Sequence, residues 1–179
     1  DWLREALAQK PKVATFHAPP EHMTTFSMYT NPSRRELHKK LRDLDVAETT
    51  DLRETIALHR QVKQAVEIAA IRQAIATTCE TLEADIRPAL NDVKTEAEVA
   101  ALLSYGYLRR GAQGHAFDPV VASDKNAVTL HYHANSPVVK DSLLLVDTGA
   151  EQENWAADIT RCFAVGKPSD RVKEVYQAV

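Results

Sequence analysis

From about Leu52 to residue 110 the apolar side chains recur at helical spacing, beyond Gly114 they fall in short strand-like runs, and before Leu52 the pattern is mixed. Trp2, Leu3, Ala6 and Leu7 predict a short helix over 1–8, which Lys10-Pro11 breaks. Residues 12–18 (KVATFHA) alternate as a strand, with Val13, Thr15 and His17 on one face, and Pro19-Pro20 ends it. A polar loop over 21–32 follows, and Ser33 is placed to cap a helix from Arg34 to Arg42. Helix, strand, loop and helix in under fifty residues describe the end of an α/β domain, too small alone to hold a core. Residues 44–50 read as a linker, with Thr50 or Asp51 capping a helix that begins at Leu52. From there to Leu90 the composition favours helix, and the length predicts two helices with a break near Lys63–Ala65. Pro88 closes the second or bends its last turn.

Thr95 with Glu98 three residues on is a capping box for a third helix, which carries Val99, Leu102 and Leu103. Arg109 and Arg110 suit its C-terminal dipole, and Gly111 suits the left-handed residue that ends it. Strands are then predicted over Phe117–Ser123, Val128–His133, Ser142–Asp147 and Trp155–Val165. Lys167-Pro168 stops the last strand and Ser169 caps a final helix. Helices followed by antiparallel strands make the second part α+β.

Composition narrows the class of protein without defining it. The 179 residues carry a net charge of -3 and a pI near 6.2, which gives no footprint for nucleic acid. The basic pairs Arg34-Arg35 and Lys39-Lys40 read as a solvated helix face. No apolar run reaches membrane-spanning length, so no membrane partner is expected. Cys79 and Cys162 are isolated and read as reduced thiols, as in a cytoplasmic protein, with a disulfide as the less favoured option. The chain begins at Asp1 and ends at Val179 inside an unfinished helical pattern, so a piece of a longer protein is expected.

Candidate chemistry concentrates in residues 143–163, LLLVDTGAEQENWAADITRCF. A hairpin centred near Gln152 and Glu153 sets Asp147 directly opposite Asp158, and such neighbours have Cβ atoms ~4.5–5.5 Å apart. Two carboxylates that close repel, so one takes a proton or a cation sits between them. The plain alternative is that Asp147 opens a turn and Asp158 sits on a solvated face. A carboxylate site favours divalent ions such as Mn²⁺, Co²⁺ or Zn²⁺. On the predicted strand 128–133, His131 and His133 point the same way. Such a pair binds zinc only with a third ligand; otherwise one histidine contacts a substrate, or both are polar residues on an open face. His17, His22 and His38 have no partners at metal spacing and take ordinary core or surface roles.

The runs VVASDKNAVTLHYHAN, VDTGAE and ADITRCF together resemble the pita-bread metallopeptidases, closest to the Xaa-Pro aminopeptidases and Xaa-Pro dipeptidases. The matching pattern is a His-Tyr strand followed by Asn, then Asp-x-Gly, then Asp-Ile-Thr-Arg, with the aspartates eleven positions apart. Upstream, HRQVKQAVEIAAIRQA resembles the stretch that opens the catalytic domain, with Arg60, Lys63, Glu67 and Ile68 at matching places. The resemblance implies that 58–179 are the first half of a pita-bread catalytic domain, with helices packed on a curved antiparallel sheet. Residues 1–57 would be the end of the α/β domain before it, with its linker.

By the same resemblance Asp147 is the bidentate ligand of one metal, Asp158 bridges two, and His131 lines the substrate pocket as a catalytic contact. The metals would be manganese, with zinc or cobalt as alternatives. A bridging hydroxide would attack the bond before a proline in second position. One His and two Glu ligands would lie beyond Val179, so this chain alone is expected to bind metal weakly and to cleave nothing. Departures from the pattern are Asp124 for a common Gly, His133 for a small polar residue, and Cys162 for a frequent Thr. The implied function is an Xaa-Pro aminopeptidase. An Xaa-Pro dipeptidase, a non-catalytic pita-bread binding protein and a creatine-type hydrolase are the alternatives. The implied partner is a peptide, and the open apolar face of an isolated half leaves room for a homo-oligomer.

Overall fold

A computed structural model describes residues 53–178, the strands over 12–15 and 48–51, and five single helical positions at Glu5, Glu36, Lys39, Lys40 and Asp43. The chain divides into two compact units, Asp1–Lys63 and Gln64–Val179. In the first unit β1 (Lys12–Thr15) pairs in parallel with β2 (Glu48–Asp51), and helix α1 spans Arg53–Gln61. The segment expected to be a linker thus supplies a strand. Its β-branched Thr49 and Thr50 suit a pleated ladder, and only the partner at Val13 and Ala14 reveals it. Most of the expected helices over 1–8 and 34–42, and His17, His22 and His38, lie outside the described residues.

The second unit begins with α2 (Ala65–Thr81), so the helix break falls where Lys63–Ala65 predicted it. Glu67 and Gln64 close a reciprocal box at its start, where Gln64 N–H donates to Glu67 Oε2 at 2.6 Å. The helix then widens into a π turn over Leu82–Ile86 and finishes over Arg87–Ala89, with Pro88 in its last turn. Helix α3 (Glu96–Arg109) is capped by Thr95, whose hydroxyl accepts from Glu98 N–H at 3.2 Å. The return bond of the box is shifted by one residue, since Glu98 Oε2 accepts from Lys94 N–H at 2.8 Å. Gly111 ends the helix at φ 82, in the left-handed region. The two helices approach closely at Gly106, where an added Cβ would overlap the Thr81 side chain. Beside it, Asp85 from the π turn pairs with Arg110 and, at 3.3 Å, with Arg109.

The strands form one antiparallel meander interrupted midway. β3 (Gly114–His115), β6 (Ala150–Gln152) and β7 (Trp155–Ala156) make one three-stranded piece, and β4 (Val120–Ser123), β5 (Ser142–Thr148) and β8 (Ile159–Val165) make the other. Helix α4 (Asp170–Ala178) follows, and Ser169 Oγ accepts from Val172 N–H at 3.3 Å as a cap. The α+β arrangement read from the sequence is the arrangement of this unit. The strand expected over Val128–His133 is not formed: Asp124–Val128 is a 3-10 helix and an irregular segment follows it. Asp124 starts that helix at φ 52 and His131 sits at φ 50, which ladder geometry forbids. The strand expected from Phe117 starts only at Val120.

Alternation along β5 decides which side of the sheet is which. Leu144, Val146 and Thr148 are fully buried with Leu82, Ile86, Val99, Leu103 and Tyr107 from the helices. Leu145 and Asp147 point to the other face. There Leu145 packs with Val120, Ala122 and Tyr132 in a smaller apolar cluster.

A buried polar seam ties helices to sheet. The Tyr107 hydroxyl lies 2.8 Å from Thr148 Oγ1, and Thr78 Oγ1 accepts from Ala150 N–H at 2.9 Å while donating to Ala74 O at 2.8 Å. Next to it the His115 ring meets the Tyr107 ring edge-on at 5.1 Å, and His115 Nε2 is 2.7 Å from Ser104 Oγ. Burial raises the Tyr107 pKa against the opposing hydrogen bonds of Thr148 and Thr78, and burial lowers the His115 pKa against the nearby Asp118 charge.

These two shifts bound a pH window. Tyr107, raised in the fold, contributes stability that is full below the unfolded phenol pKa of about 10 and is lost as pH rises above it. His115, lowered in the fold, leaves the folded state binding fewer protons, so stability falls as pH drops below about 6.5. Urea denaturation across pH should therefore give a plateau between these limits. Tyr107→Phe should lower the plateau by about 1–2 kcal/mol and flatten its alkaline edge. An unchanged alkaline edge in that variant would contradict the assignment.

Candidate metal centre

The two acids sit where the meander breaks. Asp147 is the sixth residue of β5, and Asp158 lies between β7 and β8. The hairpin register runs Gln152↔Trp155, Glu151↔Ala156, Thr148↔Ile159 and Asp147↔Thr160. Asp158 is therefore diagonal to Asp147, not directly opposite as expected. The cause is the turn: Glu153 and Asn154 take φ 51 and 61, both left-handed, as a two-residue type I′ hairpin requires. That moves the centre by one residue from the expected Gln152–Glu153 and shifts every partner by two. Because side chains alternate with period two, a two-residue shift keeps the acids' face. Diagonal neighbours lie roughly 7–8 Å apart, so the repulsion expected of directly opposed acids is relaxed and does not by itself demand a proton or a cation between them.

Asp147 is half-buried and accepts a hydrogen bond from Thr160 Oγ1 at 2.7 Å. Asp158 is exposed. Gly149 explains why the link can pass so close: an added Cβ would overlap the Ala157 carbonyl and lie 3.2 Å from the Asp158 nitrogen. On its other flank Gly149 O accepts from Ala116 N–H at 2.8 Å, and Ala157 N–H donates to Ala150 O at 3.0 Å. The Asp-x-Gly spacing is thus a steric requirement, since Gly149 lets the strand that carries Asp158 lie against the strand that carries Asp147.

His131 lies outside the ladder, exposed, in the segment that covers the outer sheet face. Its neighbour Tyr132 is buried against Val120 and Ala122, and Val120 pairs with Asp147. His131 thus belongs to a segment anchored on the sheet face that carries Asp147. His133 is also exposed, and without the strand the two histidines do not share a ladder face. Among the described residues no group of three His, Cys, Asp or Glu could hold a metal ion. The carboxylates of Asp147 and Asp158 have the chemistry of a hard-cation site and share a hairpin, so they fit as part of a ligand set. Cys79 and Cys162 are both free thiols.

Two features of this region were not legible as function. Glu96, in the first turn of α3, is fully buried and bonded to the segment that carries His131. The His115–Ser104 contact joins residues eleven positions apart. Nothing local separates Glu96 from an ordinary first-turn acid or His115 from a surface histidine.

Comparison with known proteins supplies the family. The model of metallopeptidase family M24 matches residues 53–179. The chain belongs to that family. It is 38% identical over 130 residues to a probable Xaa-Pro aminopeptidase of Fusarium vanettenii, covering 72% of this chain and 28% of that protein. It is 31% identical over 148 residues to an Xaa-Pro dipeptidase of Pyrococcus horikoshii, covering 80% and 40%. The X-Pro aminopeptidase structure from Thermotoga maritima superimposes with a TM-score of 0.74 at 28% identity, over 99% of this chain and 48% of that one. The prolidase of Pyrococcus horikoshii gives a TM-score of 0.78 at 24% identity over 99% and 48%, a likeness of fold alone. The fold is thus that of the pita-bread metallopeptidases, present in part. This chain spans about a third of the curated relatives and about half of the solved structures it matches.

Gly149→Ala should force the 157–158 link away from β5. The urea midpoint should drop by an amount equal to about 1–3 kcal/mol, and the largest amide shift changes should fall at Ala157 and Asp158. Unperturbed shifts at both residues would refute the close approach.

Proposed function

We propose that this chain is part of an Xaa-Pro aminopeptidase, a peptidase that releases the N-terminal residue from peptides with proline in second position. The observation that carries the reading is the hairpin in which Asp158, between β7 and β8, lies diagonal to Asp147 in β5, within a chain of metallopeptidase family M24. Asp147 and Asp158 would hold the divalent metal, two ions with manganese favoured over zinc or cobalt. When bound, such ions supply Lewis acidity and charge stabilisation to amide hydrolysis. Thr160 donates to Asp147 and fixes the carboxylate's rotation. His131 would donate a hydrogen bond to the peptide, at the scissile bond or the product end. We infer that residues outside these 179 complete the ligand set, and that residues 1–57 end a preceding domain.

An Xaa-Pro dipeptidase is the second reading, favoured by the similarity to the Pyrococcus dipeptidase. A cytoplasmic location rests on the two unpaired thiols alone.

Manganese titration of this chain, followed by paramagnetic broadening, should bleach the amides around Asp147 and Asp158 first. Asp147→Asn and Asp158→Asn should each weaken that effect by about tenfold or more. Broadening centred elsewhere would refute the ligand assignment. The chain alone should release nothing from Xaa-Pro peptides, whereas the full-length protein should do so with manganese. Activity on Xaa-Pro-Xaa tripeptides separates the aminopeptidase from a dipeptidase confined to Xaa-Pro. Manganese-dependent release by the 179 residues alone would overturn the inferred division of the site.

A further inference from the structure

We propose that Glu96 is a positioning residue for His131. The inference rests on the substrate-contact role given to His131 above.

Glu96 is 0% exposed, unusual for an acid in the first turn of a helix. Its carboxylate is held by hydrogen bonds from three donors. Oε1 accepts from Ser123 N–H at 2.8 Å and Asn126 Nδ2 at 3.0 Å, and Oε2 accepts from Ser136 N–H at 2.6 Å. Ser123 and Ser136 are the two feet of the segment that carries His131. The backbone repeats the tie, since Glu96 N–H donates to Ser136 O at 3.0 Å and Val138 N–H donates to Lys94 O at 2.9 Å. Inside the segment the bonds continue toward His131. Asn126 Nδ2 also donates to the Tyr132 hydroxyl at 2.9 Å, and that hydroxyl donates to Ser136 Oγ at 2.7 Å. Tyr132 is next to His131 in the chain and is itself buried on the outer sheet face.

The backbone of His131 needs such support. At φ 50 a non-glycine residue is in the sparsely populated left-handed region, and Asn135 at φ 53 is there too. Strained conformations of this kind persist only where surrounding contacts over-determine them. Here the over-determination converges on one side chain. Three donors point at two oxygens, so only the carboxylate satisfies all of them. A glutamine of the same shape would turn an NH₂ group toward at least one N–H donor, and a buried donor left facing a donor is costly. The carboxylate thereby links helix α3, the end of β4 and the segment over 124–136.

The test is Glu96→Gln in this chain and in the full-length protein. In the chain, amide exchange at Ser123 and Ser136 should accelerate by about tenfold or more, while Leu144 and Val146 in β5 keep their protection. Equal loss of protection in β5 would show a general structural role and overturn the proposal. In the metal-loaded full-length protein, Glu96→Gln should lower kcat/KM for an Xaa-Pro peptide by about the same factor as His131→Ala. In the double variant it should cost no further loss beyond about twofold. Additive losses would overturn it, because Glu96 would then act independently of His131. If His131→Ala leaves turnover unchanged, the role of His131 falls and this role falls with it, while faster exchange at Ser123 and Ser136 would still identify Glu96 as the anchor of the segment. Glu96→Ala, which removes the acceptor without offering a wrong donor, repeats the measurements if Glu96→Gln fails to fold.

Discussion

The close approach at Gly149 is the constraint on which the rest of the second unit depends. There the meander breaks, and the Ala157 carbonyl occupies the space a side chain would take. Immediately before it, Thr148 turns its hydroxyl inward to Tyr107. Immediately after it, Ala150 gives its N–H to Thr78. Two helices and the sheet are thereby fixed on one side of a three-residue stretch. On the other side Asp147, the residue just before this stretch, faces outward. The seam is wholly buried, so each hydroxyl that ties it must be satisfied, and each is. A buried polar seam of this kind stabilises modestly but specifies one arrangement, since any slip of the strand leaves Thr148 and Ala150 without partners.

The hydrophobic core supplies the driving force that the seam directs. Leu82 and Ile86 from the π turn, Val99 and Leu103 from α3, and Leu144 and Val146 from β5 form one contiguous cluster. The π turn has a visible consequence, because Asp85 within it reaches Arg109 and Arg110 at the far end of α3. Beside that pair, Arg110 also donates to Gly106 O at 2.9 Å, and the absent side chain at Gly106 lets the helices pack there. The sheet is therefore backed by a rigid helical layer, and the acids sit on the side away from it. Such a division suits a metal centre, since ligand precision comes from the elements behind the site.

Much of this was legible in local sequence. The capping Thr95, the terminating Gly111, the helix break before Ala65 and the strand holding Asp147 follow from short-range chemistry, whereas the strand expected over Trp155–Val165 is interrupted at Ala157 and Asp158. The hairpin centre was off by one residue because Glu153-Asn154 lacks the glycine that usually marks a type I′ turn. The strand expected over 128–133 failed for a different reason. Its alternating apolar and polar residues have the right period, but Val128 and Leu130 point into solvent and only Tyr132 finds a buried place. Periodicity reports what a segment could do with a partner strand; here β4 takes β5 as its partner, and the positive φ of Asp124 and His131 turns the intervening segment out of extended geometry.

The sequence by itself determined most of the helices of the second unit, the strand Ser142–Thr148 and the α+β class, because caps, breakers and apolar period act over a few residues. It also carried the resemblance to the pita-bread metallopeptidases, which the match to family M24 bears out. Tertiary structure alone decided the diagonal register of Asp147 and Asp158, the parallel pairing of Glu48–Asp51 with Lys12–Thr15, and the burial of Glu96. Those depend on contacts between residues far apart in the chain. Whether an acid is solvated or holds three donors is set by what folds over it.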